Sequence, residues 1–87
     1  MELKLNSIYK HYKGKYYKTL FICNNANDLN FPLVIYQSLY EDDTFGNQAL
    51  WARPVSEFKE LYDGFNPRFE FICELPVTNI FYNNQSK

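Results

Sequence analysis

The chain is poor in the residues that punctuate or cross-link: three glycines, four prolines, two cysteines and a single histidine in 87 residues. So little Gly and Pro excludes a linker or a low-complexity chain. Cys23 and Cys73 stand fifty residues apart with no Cys-x-x-Cys and no nearby His. That gives no support for zinc or thioredoxin-type chemistry. No apolar run approaches the ~18 residues that a membrane helix requires. The opening Met1-Glu2-Leu3-Lys4-Leu5-Asn6 has no apolar core of a signal peptide, so none is expected. Net charge is also near zero, at −1, which argues against binding driven by a large positive field.

Aromatic side chains are abundant. Eight Tyr, eight Phe and one Trp make up 20 % of the sequence. A chain of this length supports one domain with a small core, and rings burying about 150–250 Å² each can fill it. Charge is segregated. Lys4, Lys10, Lys13, Lys15 and Lys18 stand against Glu2 in the first 18 residues, whereas residues 41–74 carry eight acids against Arg53, Lys59 and Arg68. A solvated lysine hairpin explains the first cluster more simply than a nucleic-acid stripe.

Residues 8–23 read as a hairpin turning at Lys13-Gly14, where glycine supplies the positive φ of a tight turn. Asn24-Asn25-Ala26-Asn27-Asp28-Leu29-Asn30 is a loop by composition. Leu33-Val34-Ile35-Tyr36-Gln37-Ser38-Leu39-Tyr40 is a strand whose first half is apolar on both faces, as if covered on two sides. Residues 41–47 turn, and Ala49-Leu50-Trp51-Ala52-Arg53 is a strand ended by Pro54. Val55, Phe58, Leu61 and Tyr62 then fall at helical spacing. Pro54 suits the first helical position and Gly64 the exit. Arg68-Phe69-Glu70-Phe71-Ile72-Cys73 returns to strand period, and residues 77–82 are a candidate sixth strand. Both cysteines close apolar runs, so two buried free thiols are expected, with a single disulfide as the alternative. The whole predicts one all-β domain over residues 1–87, a small SH3-like barrel or roll of five or six antiparallel strands with one short helical turn.

Four motifs in order carry a resemblance: His11-Tyr12-Lys13-Gly14-Lys15-Tyr16-Tyr17; Leu33 through Tyr40; Leu50-Trp51-Ala52-Arg53-Pro54 with Phe58; and Pro67-Arg68-Phe69-Glu70-Phe71-Ile72. Over residues 8–72 the chain resembles the bacterial family known as domain of unknown function 1653. The resemblance implies an SH3-type barrel and no assigned activity. Residues 73–87 extend beyond the family-like core.

Catalysis has little foothold in the sequence. His11 is a conceivable general base, but no Ser-His-Asp order or activated thiol accompanies it, and a strand histidine beside a turn is the simpler reading. Glu41-Asp42-Asp43 reads as a solvated turn. No phosphate-cradling glycine loop and no metal-ligand spacing occurs, so neither an enzyme nor a cofactor is expected.

Trp51 and Arg53, two apart on a strand, share a face. Trp51 offers a stacking surface and Arg53 an anion fork beside the amides of the following turn. Arg68 and Lys13 are candidates to complete an anion site, and Tyr36, Tyr40, Tyr12 and His11 to wall it. The structural alternative is that Arg53 pairs with Glu57 or Glu60, Trp51 plugs the core, and most tyrosines fill the barrel.

The leading expectation is a non-catalytic cytoplasmic module holding a phosphate-bearing or nucleotide-like ligand. The alternative is a protein-interaction adaptor offering an edge strand or aromatic patch. Single-stranded nucleic acid is the third reading. The partner is unknown, no membrane is involved, and the chain is a monomer or dimer.

Overall fold

The computed structural model describes residues 2–44 and 46–76; the candidate sixth strand at 77–82 lies outside the described residues. The strands are β1 (Ser7–His11), β2 (Tyr16–Cys23), β3 (Leu33–Ser38), β4 (Glu41–Asp42), β5 (Gly46–Asn47), β6 (Leu50–Pro54) and β7 (Phe69–Glu74), with one helical turn, α1 (Val55–Phe58), between β6 and β7. Five strands form one antiparallel sheet in the order β6-β3-β2-β1-β7, while β4 and β5 make a separate small hairpin. The fold is therefore a roll of five antiparallel strands; no ladder joins its edges, β6 and β7, among the described residues.

Local chemistry explains the path. β1 and β2 turn at Gly14, whose φ is +107°. The Gly14 N–H donates to the His11 carbonyl at 2.7 Å, and His11 N–H to the Lys15 carbonyl at 2.8 Å. The sheet bends because two strands carry an extra residue. In β2 the register against β3 shifts between Thr19 and Phe21, and between β1 and β7 it shifts at Ile8/Tyr9. Each bulge increases local twist and curls the sheet over its concave face.

Alternation decides what that concave face buries. Val34, Tyr36 and Ser38 point inward from β3, and Leu33, Ile35 and Gln37 stay half-exposed. The expectation that β3 is covered on both faces is thus corrected: one face packs and the other meets solvent, as antiparallel sheets permit. The core is Tyr9, Val34, Tyr36, Phe58 and Phe69. Its buried hydroxyls are all bonded. Thr19 Oγ1 accepts from Ser7 N–H at 3.2 Å and donates to the Lys4 carbonyl at 2.7 Å, tying the amino-terminal segment to β2. Ser7 Oγ donates to the Leu5 carbonyl at 2.8 Å.

The helical segment is shorter than its spacing suggests. Pro54 is the cap, with φ −54° and ψ 137°, and the helix proper covers only Val55–Phe58. Of the periodic set, Phe58 is buried, whereas Leu61 and Tyr62 are exposed. The reason lies in Asp63, whose Oδ1 accepts the N–H groups of Phe65 (2.9 Å) and Asn66 (2.7 Å). This side chain offers the backbone a tight turn in place of a second helical one. Gly64 (φ +89°) sits in that turn, not at a helix exit, and Leu61 bridges to Pro67 across it.

The cysteine expectation is half corrected. Both thiols are free, but Cys23 is only partly buried and Cys73 is exposed. Cys73 lies opposite Ile8 near the end of an edge strand, where no element among the described residues covers it.

Candidate ligand-binding cleft

The inward faces of the strands meet at one end of the roll. On β6, Trp51 and Arg53 lie opposite Tyr36 and Val34 of β3. On β2, Tyr17 lies opposite Ser38, and on β1, His11 lies opposite Phe69 of β7. Together with Tyr40, just beyond β3, the side chains of His11, Tyr17, Tyr36, Trp51, Arg53 and Phe69 line a cleft of ≈ 190 Å³. Trp51, Arg53, Tyr36, Tyr40 and His11, the larger part of the site expected from the sequence, are thereby brought together.

Arg53 is the charged group of this cleft. Its Nε–H donates to the Tyr36 hydroxyl at 3.1 Å, and Nη1 meets Glu57 Oε1 at 3.3 Å. Its Cζ lies 5.7 Å from the centre of the Phe69 ring, on which it rests as a cation–π contact. The hydrogen bond to Tyr36 and the charge of Glu57 raise its pKa further. The Nε–H and one N–H of Nη1 are therefore used within the protein, which leaves three of the five guanidinium N–H donors, one on Nη1 and two on Nη2. The anion fork expected from the sequence is thus shared with Glu57.

The tyrosines form two donor stations. Tyr36 is 4 % exposed, and its hydroxyl accepts from Arg53, which leaves its own proton available for a ligand. Tyr17 and Tyr40 share a hydroxyl–hydroxyl bond of 2.8 Å, so one proton of that pair is also left over. Burial, with the Tyr40 hydrogen bond second, raises the Tyr17 pKa far above its ordinary value and keeps it neutral. Lys15 Nζ stands over the Tyr40 ring, 4.9 Å from its centre.

His11 supplies a further donor. Its Nδ1 accepts the Lys13 N–H at 3.1 Å, which puts the proton of the neutral ring on Nε2. Burial first, then the charges of Arg53, Arg68 and Lys13, lower its pKa. The ring is held between Tyr12 at 4.6 Å and Phe69 at 4.9 Å.

Trp51 is half-buried against the core. Its Nε1–H donates to Ser38 Oγ at 2.9 Å, and Ser38 Oγ donates to the Ala49 carbonyl at 3.2 Å. Trp51 thus contributes its ring wall to the cleft, and its N–H locks the ring in place.

Three expected site residues lie outside. Tyr12 stacks on Tyr62, centroids 4.1 Å apart and planes within 8°, over a separate open groove of ≈ 320 Å³ that shares His11 as a wall. Lys13 sits on the hairpin turn, its ammonium 5.9 Å from the centre of the Tyr12 ring. Arg68 pairs with Glu60 at 3.4 Å. Of the amides after Pro54, that of Val55 is already taken, donating to the Pro32 carbonyl at 2.9 Å. Conversely, Tyr17 and Phe69 line the cleft without having been singled out. Their alternation with Thr19 and Phe71 gives their faces, but only strand pairing places them beside Trp51. Among the described residues no group of three His, Cys, Asp or Glu side chains could hold a metal ion.

The family model of DUF1653, a protein of unknown function, matches residues 7–71. The chain belongs to the DUF1653 family. A crystal structure of a DUF1653 protein from Bordetella bronchiseptica superposes with a TM-score of 0.67. It is 22 % identical and covers 85 % of this chain and 94 % of its own. At that identity the likeness carries the fold, a small all-β roll, and no residue roles. No curated protein matches the DUF1653 chain.

Proposed function

We propose that this DUF1653 domain is a non-catalytic binding module whose cleft holds a small anionic, ring-bearing ligand of the nucleotide-like class. One observation carries the reading. Arg53, Tyr36 and His11, each with donor N–H or O–H groups beyond those bonded within the described residues, line an aromatic-walled cleft whose lining includes no carboxylate. Hydrogen-bond donors without matching acceptors favour an oxyanion, and Trp51 gives a flat ring a surface to lie against. The free thiols of Cys23 and Cys73 suit a reducing compartment such as the cytoplasm. No described helix is long and apolar enough to cross a membrane.

A second reading rests on the opposite face. Phe21 is 53 % exposed and Leu50 62 % exposed, and Phe21 lies opposite Ile35 on the solvent side of the sheet. Such an apolar patch suits an adaptor that docks a protein.

Native mass spectrometry of the purified chain beside Arg53→Ala separates the two. A small anion retained by the parent and lost from the folded variant supports the cleft reading. A retained polypeptide, unaffected by Arg53→Ala, overturns it in favour of the adaptor.

A further inference from the structure

The charges around the cleft cancel in pairs. Arg53 is matched by Glu57 at 3.3 Å, and Arg68, the next cation beside His11, by Glu60 at 3.4 Å. His11 stays neutral near pH 7, because its pKa is lowered and its Nδ1 is committed to the Lys13 N–H. What remains uncompensated is Lys15 over Tyr40 and Lys13 on the turn, both exposed and therefore screened by solvent. The cleft thus has many donors and little net charge.

We infer that the cleft selects a singly charged oxyanion on a flat ring and is a poor host for a doubly charged phosphate monoester. This inference rests on the anion-binding reading above and narrows its nucleotide-like class to singly charged members, phosphate diesters rather than monoesters, and to ring-borne carboxylates. The donor geometry agrees. Arg53, Tyr36 and His11 come from three different strands, and only the first of them carries a full charge near pH 7. The Tyr36 hydroxyl and His11 Nε2–H are neutral donors, and the one guanidinium is already shared with Glu57, so an anion's oxygens are satisfied there without a second full positive charge. A second negative charge placed there would sit in an aromatic, half-buried cleft beside Glu57 with only the exposed, solvent-screened Lys15 and Lys13 to offset it, which is unfavourable. Ring-borne carboxylates and phosphate diesters share the required chemistry, one delocalised charge on two oxygens.

The test uses the fluorescence of Trp51, the only tryptophan, to titrate the full chain with benzoate, methyl phenyl phosphate, phenyl phosphate and neutral benzamide. At about pH 8 phenyl phosphate is a dianion, because its second pKa is ≈ 6, while a carboxylate carries one charge at any pH above about 5. Benzoate or the diester is expected to bind about tenfold more tightly than phenyl phosphate there, equivalent to about 1.4 kcal/mol. Which of the two binds identifies the source of the charge. Lowering the pH to about 5 turns the monoester into a monoanion and is expected to recover its affinity, with benzoate unchanged.

Benzoate also reports on His11, which faces Arg53 from β6, Arg68 and Lys13 from the flanking turns and the Tyr17 ring from β2. An equal gain for benzoate at low pH would assign the change to His11 and overturn the inference. Glu57→Gln, at an exposed position outside the cleft lining, frees the charge of Arg53. It is expected to raise phenyl phosphate affinity several-fold relative to benzoate. Tightest binding of phenyl phosphate at about pH 8 to the unmodified chain overturns the charge selection but leaves the anion-binding reading standing. Failure of all three anions overturns both.

Discussion

Phe58 lies face to face on Phe69, with ring centroids 4.0 Å apart and planes 6° apart. The contact joins the one helical turn to the edge strand β7. Tyr9 and Tyr36 meet the Phe58 ring edge-on at 5.1 and 5.3 Å. Phe69 also walls the cleft, beneath Arg53. Core and cleft therefore share one aromatic stack, and a change in the core is felt in the site.

Phe58→Ala is expected to destabilise the domain by about 3–5 kcal/mol, as Phe truncations in cores do. Domains of this kind have only about 5–15 kcal/mol in total, so the urea midpoint falls sharply. Phe58→Leu, which keeps most of the volume, loses clearly less. Equal stability of Phe58→Ala and the parent would contradict the packing described.

Arg53→Lys keeps the charge but loses the Nε–H that holds the Tyr36 hydroxyl. The Glu57 pair is partly exposed, with the two side chains 31 % and 50 % accessible, and such pairs contribute about 0–1 kcal/mol. The bond to Tyr36 contributes about 1 kcal/mol net. Thermal unfolding is thus expected to shift by only a few degrees for a domain of this size, about 4–8 °C per kcal/mol, while anion binding is lost. A large loss of stability in both Arg53→Lys and Arg53→Ala would make Arg53 a structural clamp and remove the binding role.

The strands and the turn at Gly14 are legible in the sequence because alternation and a glycine with positive φ are local signals. So is the shared face of Trp51 and Arg53, two apart on one strand. Partnerships across the sheet are not. Nothing in the sequence sets Arg53 Nε against the Tyr36 hydroxyl rather than a ligand, or Tyr17 against Tyr40, because both depend on strand register. Helical spacing misleads between Val55 and Tyr62, since the Asp63 turn competes successfully for the backbone. The separate hairpin of β4 and β5 is likewise hidden in a segment whose composition reads as a plain polar turn.

The two thiols differ in accessibility and cannot meet. Cys73 is opposite Ile8, Ile8 is opposite Lys18, and Cys23 lies five residues further along β2. Two strand spacings of about 4.8 Å, plus five residues at ~3.3 Å each, put their Cα atoms far beyond the ~7 Å reach of a disulfide. Thiol labelling of the folded chain is expected to modify Cys73 rapidly and Cys23 more slowly. A native intramolecular disulfide mass would contradict the sheet order.

His11 makes stability depend on pH in a defined direction. Burial, then Arg53, Arg68 and Lys13, lower its folded pKa below the ordinary 6.5. Between those two values the unfolded chain binds a proton that the folded chain does not. Stability therefore falls as the pH drops from about 6.5 towards the folded pKa and is insensitive to His11 above it. Protonation would also turn Nδ1 from acceptor to donor and set it against the Lys13 N–H at 3.1 Å, loosening the hairpin turn beside the cleft. His11→Gln abolishes the titration while keeping a polar side chain. Thermal unfolding from about pH 8 down to pH 5 is expected to show a decline beginning near pH 6.5 in the parent and a flatter profile in His11→Gln. Asp63, held below its ordinary value by the Asn66 and Phe65 amides, loses its stabilising contribution only at lower pH, as it protonates, so it does not confuse this window. An unchanged decline in His11→Gln would show that another group, not the cleft histidine, takes up the proton.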